Sequence, residues 1–309
     1  EAVVIQFIVD HLARHGESAL AWELPSTLDV ALVDAGLKQR LGPLKLSTIS
    51  HRLAVLSKAH QWRRVVNPCE QPAVRHLIAR ARRAAVKRGE RPAKKTAITQ
   101  AELAALLATC DGSLTGLRDR ALLLFAFASG GRRRSEVASA DLRDLRQVGE
   151  RAFVYHLGHS KTQQAGPSAT STPDKPLLGP AADALTAWLA AAQLAEGPIF
   201  RRLWRHRVGD GLSPASVATI VQRRAALAGL EGDFGAHSLR SGFVTEGGRQ
   251  GIALPALMAM TEHRSVGSVI GYFQAGGVTE NPAARLLDDS ILNSSSKSST
   301  PPAQNNNLP

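Results

Sequence analysis

The 309-residue chain is short of several things. It has two cysteines, Cys69 and Cys110, each standing alone with no CxxC and no Cys-His cluster. That fits a reducing compartment and argues against a structural zinc site. No run of 18 apolar residues appears, so no membrane-spanning helix is expected. The first residues carry no basic-then-apolar leader, and no secretion signal is expected. G-x-x-x-x-G-K-[ST] and HExxH are both missing, so neither a phosphate-cradling NTP loop nor a zinc-protease helix is expected. What is present is ample apolar material, 44% of residues, enough for the cores of about two domains.

Acidic residues are scarce in one place. Residues 45–95 carry Lys45, Arg52, Lys58, Arg63, Arg64, Arg75, Arg80, Arg82, Arg83, Lys87, Arg88, Arg91, Lys94 and Lys95 against only Glu70 and Glu90. This one stretch holds the whole formal excess of +12. A concentrated basic stripe is the footprint of a nucleic-acid binder, because neutralised phosphates release counterions. The rival explanation is a solvated, arginine-rich face.

Apolar spacing predicts four short helices over 2–15, 27–37, 47–60 and 72–88, the last opened by Pro72. Residues 89–98 read as a linker. A new helix starts at Thr99, with Glu102 completing a capping box. Residues 117–128 are apolar nearly all round and predict a buried helix. A strand is expected over 152–158, with a polar excursion over 159–176 that returns at Pro176–Leu178, forming a hairpin or small sheet. Helices are expected over 180–195, 213–228, 237–250 and 254–260. From Asn293 the low-complexity tail is expected to be disordered.

Four short stretches carry the chemistry. They are Gly131-Arg132-Arg133-Arg134-Ser135-Glu136, His159-Ser160-Lys161-Thr162, His237-Ser238-Leu239-Arg240, and Glu262-His263-Arg264-Ser265 with Tyr272 nine residues after His263. Singly each has an ordinary explanation. An H-x-x-R is usually a surface pair, a tyrosine between apolar residues is usually core, and a triple arginine is usually an exposed patch.

Together, their order and spacing resemble the tyrosine recombinase (phage integrase) family, which has an arginine before S-E, a hairpin lysine, H-x-x-R, and a histidine nine residues before the tyrosine. Arg240 precedes Tyr272 by 32 residues, as in that family. The resemblance covers about 97–290, and the basic helical half more loosely. It implies a mainly helical protein with a small β-sheet, built as a two-domain C-shaped DNA clamp: a helical core-binding domain over 1–88, a linker over 89–96, a mixed α/β catalytic domain over 97–292 and a tail over 293–309. It implies a cytoplasmic site-specific recombinase or integrase acting on double-stranded DNA as a homotetramer, with accessory proteins possible, no membrane and no metal, ATP or other cofactor. The reaction runs through a 3′-phosphotyrosine and a Holliday junction.

Roles follow from chemistry and resemblance together. Tyr272 is the expected nucleophile, once its phenol, of ordinary pKa near ~10, is activated. Arg133, which R-x-S-E selects, and Arg240 fork onto the phosphate. His237 and His263 hydrogen-bond the phosphate or handle the tyrosine proton. Lys161 protonates the leaving 5′-oxygen, and Glu136 supports Arg133. Arg52, Arg63, Arg64, Arg75, Arg80, Arg82, Arg83, Lys87, Arg88, Lys94 and Lys95 are candidate DNA contacts. Arg132 and Arg134 are expected to point away from the site, toward DNA or solvent. The chain departs from the family at Glu262, where a glycine is common. A carboxylate there is expected to raise the His263 pKa or repel phosphate. It also departs at Gly130-Gly131, expected to loosen the Arg133 loop until DNA binds. Type IB topoisomerase-like relaxation and a non-catalytic DNA-binding regulator are the alternatives.

Overall fold

The computed structural model describes residues 1–15, 20–90, 95–158, 172–205, 207–263 and 265–273, and in it the chain divides into two compact units, Glu1–Ala93 and Lys94–Pro309. Both are mainly helical, with small sheets in addition.

The first unit holds the four expected helices: α1 (Ala2–His11), α2 (Ser26–Asp34), α3 (Leu46–Arg63) and α4 (Pro72–Lys87). α1 stops four residues early, because Leu12 turns extended and Arg14–His15 (β1) pairs antiparallel with Leu20–Ala21 (β2). Val4, Ile8, Ile49, Leu53, Val74 and Ile78 form the core. Each such side chain contributes roughly 1.5–3 kcal/mol by leaving water. In α4, Val74, Ile78, Ala81 and Ala85 are buried at helical spacing, so the same helix must turn Arg75, Arg80, Arg82, Arg83 and Lys87 outward.

The second unit opens with α5 (Gln100–Ala108), whose expected capping box is present: Glu102 Oε2 accepts from the Thr99 backbone N–H at 2.8 Å. The buried helix follows as α6 (Leu114–Ala128), started by the Ser113 hydroxyl, which accepts from Gly116 N–H at 3.1 Å. It is not apolar all round. Its Asp119 is wholly buried and accepts from Arg118 and from Arg223 and Arg224 of α9 (Pro214–Leu227). A buried carboxylate persists only when paired in this way. Phe125 of α6 stacks edge-on with Tyr155 and Phe200, at 5.0 and 5.3 Å between ring centres.

After the short α7 (Arg134–Ala138) come β3 (Leu145–Gly149), β4 (Ala152–His156) and β5 (Asp174–Leu178), an antiparallel sheet in that order. β4 ends two residues sooner than its sequence pattern suggests. β3 lacks any apolar alternation, since all but its first residue are exposed, and the sequence does not mark it. On β5 the inward positions are Leu177 and, unusually, Lys175, which pairs across the sheet with Tyr155. Next come α8 (Pro180–Ala191) and a second hairpin the sequence reading passes over, β6 (Arg201–Trp204) and β7 (Arg207–Gly211). After α9 the unit ends in α10 (Ala236–Arg249), α11 (Leu254–Thr261) and α12 (Val266–Phe273), the last not foreseen as a helix.

Candidate active site

Three elements position the candidate residues: the loop from α6 to α7, the first turns of α10, and the turn after α11. The loop crosses α10 at van der Waals limits. A Cβ on Gly131 would lie 2.3 Å from Arg240 Cα, and one on Gly130 would lie 2.2 Å from Met260 O. Both glycines have positive φ, +97° at Gly130 and +69° at Gly131. They do not loosen this loop, contrary to the sequence expectation. They are what lets its backbone come so close, and both are buried.

Arg240 is 2% exposed and uses all three guanidinium nitrogens. Nε donates to His263 Nε2 at 3.3 Å, Nη1 to Gly131 O at 3.3 Å, and Nη2 to Thr261 O. Arg133 is partly buried. Its Nη1 donates to Glu136 Oε1 at 2.8 Å, and its backbone N–H to Glu136 Oε2 at 3.1 Å. Glu136 therefore holds both the side chain and the main chain of Arg133.

His263 Nδ1 lies 2.7 Å from Thr261 Oγ1, which in turn donates to Leu257 O at 2.8 Å. The network assigns the ring proton to Nδ1 and the lone pair to Nε2, facing Arg240. Burial pushes the His263 pKa down to about 4, with Arg240, Arg133, His237 and Arg132 adding to the shift. His237, on the first turn of α10, is lowered by burial and then by Arg240 and Arg133. Arg133, His237, Arg240 and His263 thus form one electrostatic cluster. The His263 pKa falls rather than rises, so Glu262 does not dominate it. Its carboxylate turns instead to Lys175 Nζ, at 2.7 Å, and the expectation that it would raise the His263 pKa is overturned.

The second correction concerns Arg132. It does not point toward DNA or solvent; it is 1% exposed. Its Nη2 donates to Met260 O at 2.6 Å, and its Nη1 stands 3.7 Å from Glu136 Oε2. The physical reason lies at the end of α11. The last carbonyls of a helix have no intrahelical partner and carry negative partial charge. Three successive ones, on Ala259, Met260 and Thr261, each receive a buried cation: Lys175 at 2.8 Å, Arg132 at 2.6 Å, and Arg240. Hydrogen bonds from charged donors of this kind contribute roughly 1.5–3 kcal/mol each. Arg134, by contrast, is exposed as expected.

The remaining predicted residues divide as follows. Tyr272 sits next to the end of α12, a helix packed against α10, and its side chain lies outside the described residues. Lys161 and Lys94 also lie outside them, as does the tail. The other tyrosine, Tyr155, is 3% exposed, and burial raises its phenol pKa, which makes it a core residue. In the first unit Arg63, Arg64, Arg75, Arg80, Arg82, Arg83 and Lys87 are exposed. Arg52 donates to Leu37 O at 2.9 Å, Arg88 pairs with Glu90 at 2.7 Å, and Lys95 pairs with Asp233. A basic surface missed in the sequence is the β6–β7 hairpin, where Arg202, Arg205 and Arg207 are exposed around Trp204, itself 77% exposed. The signal was there in the run Arg-Arg-Leu-Trp-Arg.

A mainly helical scaffold that gathers two arginines and two uncharged imidazoles defines a class: a protein with an anion-seeking centre able to accept protons. The chain belongs to the phage integrase family, whose profile matches residues 96–276. It is therefore a DNA-breaking and rejoining enzyme of site-specific recombination, of the tyrosine recombinase type. It is 33% identical over 252 residues to an integrase/recombinase xerD homolog of Selenomonas ruminantium, covering 79% of this chain and 72% of that protein. It is 22% identical over 264 residues to Recombinase cre of Escherichia phage P1, covering 80% and 76%. Its fold is like that of the Tn1549 transposon integrase solved with a circular intermediate DNA, at a TM-score of 0.52 and 13% identity over 84% of each chain. Among the described residues no helix is long and apolar enough to cross a membrane.

Proposed function

We propose that this chain cleaves and rejoins duplex DNA at specific sites through a covalent 3′-phosphotyrosine at Tyr272. The Tyr272 hydroxyl attacks the scissile phosphorus and gives its proton to His263 or His237. The bond to the 5′-oxygen breaks, and Lys161 supplies the proton that the leaving oxygen takes. Arg133 and Arg240 hold the charge that develops on the non-bridging oxygens. The same steps in reverse, with the 5′-hydroxyl of a partner strand as nucleophile, reseal the exchanged strand through a Holliday junction. The ester conserves the bond energy, so the cycle uses neither ATP nor metal. A homotetramer on two sites, in the cytoplasm and with accessory proteins where the site demands them, completes the reading.

The observation that supports it best is the gathering of Arg133, His237, Arg240 and His263 in one cluster, with α12 bringing the Tyr272 backbone in beside α10. The depressed His263 pKa keeps the imidazole uncharged at neutral pH, with its Nε2 lone pair accepting from Arg240 Nε. Exposed cations on α4 and at the end of α3, together with the β6–β7 hairpin, supply phosphate contacts. The domains are read as 1–88 for DNA grip and 97–292 for chemistry. The test is a supercoiled plasmid carrying two copies of the recombination site. Resolution into exchanged products through four-way junctions is expected. Relaxation without exchange would move the chain to the type IB topoisomerase reading.

A further inference from the structure

Glu262 and Lys175 are the unexplained pair of this site. Lys175 occupies a core-facing position of β5 with its side chain wholly buried, and Glu262 is 9% exposed. A buried ion pair is costly to desolvate, so it persists where its geometry serves something. Glu262 is also the C-cap of α11 in the left-handed region, φ 57° and ψ 37°. That conformation favours glycine and strains a residue with a Cβ.

The two oddities meet in one arrangement. Lys175 Nζ donates to Glu262 Oε1 at 2.7 Å, to Ala259 O at 2.8 Å and to Thr172 O. Thr172 Oγ1 donates to Ala259 O as well, at 2.9 Å. The left-handed residue is thus fastened from its side chain, and the helix end beside it from its carbonyl. The next residue is His263, whose ring meets Arg240 and Thr261.

We propose that Glu262 and Lys175 are positioning residues for His263: their ion pair holds the left-handed turn that sets the imidazole against Arg240, in place of the glycine this backbone prefers. The inference rests on the functional reading above. Lys175 carries the constraint into β5. Removing the carboxylate while keeping a Cβ therefore leaves a strained turn without its side-chain anchor to Lys175. A glycine needs no hold.

The test compares single-turnover formation of the covalent DNA adduct by wild type, Glu262→Ala and Glu262→Gly, with duplex affinity measured alongside. Glu262→Ala is expected to slow adduct formation by about tenfold or more, with affinity changed by no more than about twofold, while Glu262→Gly stays within about threefold of wild type. A Glu262→Ala rate within about twofold of wild type, or a Glu262→Gly as slow as Glu262→Ala, overturns the proposal. Should Glu262→Ala not fold, Lys175→Met carries the question. Its slowed adduct formation is expected to recover when Glu262→Gly is added, and no recovery overturns the proposal. Failure of wild type itself to form an adduct, against a Tyr272→Phe blank, refutes the functional reading instead.

Discussion

The chain uses its cations in two opposite ways. On α4 they stand in water on the face away from the core. Around the end of α11 they are sealed inside: Lys175, Arg132 and Arg240 are at most 2% exposed, each bonded to a helix carbonyl. Exposed cations attract a polyanion from a distance and are screened by salt. Buried ones fix atoms in place and barely feel salt. The difference teaches that positive charge in one chain can serve affinity in one unit and geometry in the other, and that only exposure tells the two apart.

Arg240 is where the two uses meet, and it should give the largest effect. Arg240→Ala removes the side chain proposed to fork onto the phosphate, together with its contacts to His263, Gly131 and Thr261. Single-turnover cleavage is expected to fall by roughly a thousandfold, with duplex affinity nearly unchanged in a gel-shift titration. An equal loss in affinity and cleavage would place Arg240 with the surface cations.

A smaller effect separates Arg132 from Arg83, which look alike in sequence. Arg132→Met leaves Met260 O without its donor, so urea unfolding should show a loss of roughly 1–3 kcal/mol, with no change in the salt dependence of binding. Arg83→Ala should leave the unfolding midpoint in place and lower the slope of log affinity against log salt by about one. Exchanged outcomes would undo the comparison.

Much of this was legible in the residues. The capping box at Thr99, the Pro72 start of α4 and the helix over 254–260 follow from local chemistry, and the structure has them. The intervals from Arg240 and His263 to Tyr272 carried the family assignment. What sequence could not show depends on contacts between distant segments. Arg132 reaches Met260, and Lys175 reaches Glu262, across stretches of chain that no local period records. Local pattern placed Arg132 outside because triple arginines usually are. It set the Glu262 carboxylate against its sequence neighbour His263, whereas the left-handed turn sends it to β5. The strands β3, β6 and β7 were missed because they are largely exposed and their apolar residues do not alternate along the sequence.

The central claim is that Tyr272 becomes covalently joined to DNA. A nicked suicide substrate, which loses the 5′-hydroxyl needed for religation, tests it directly on a denaturing gel. Wild type should accumulate a protein–DNA adduct whose linkage maps to Tyr272, and Tyr272→Phe should form none while still binding the duplex. No adduct with wild type, or an undiminished one with Tyr272→Phe, would contradict it.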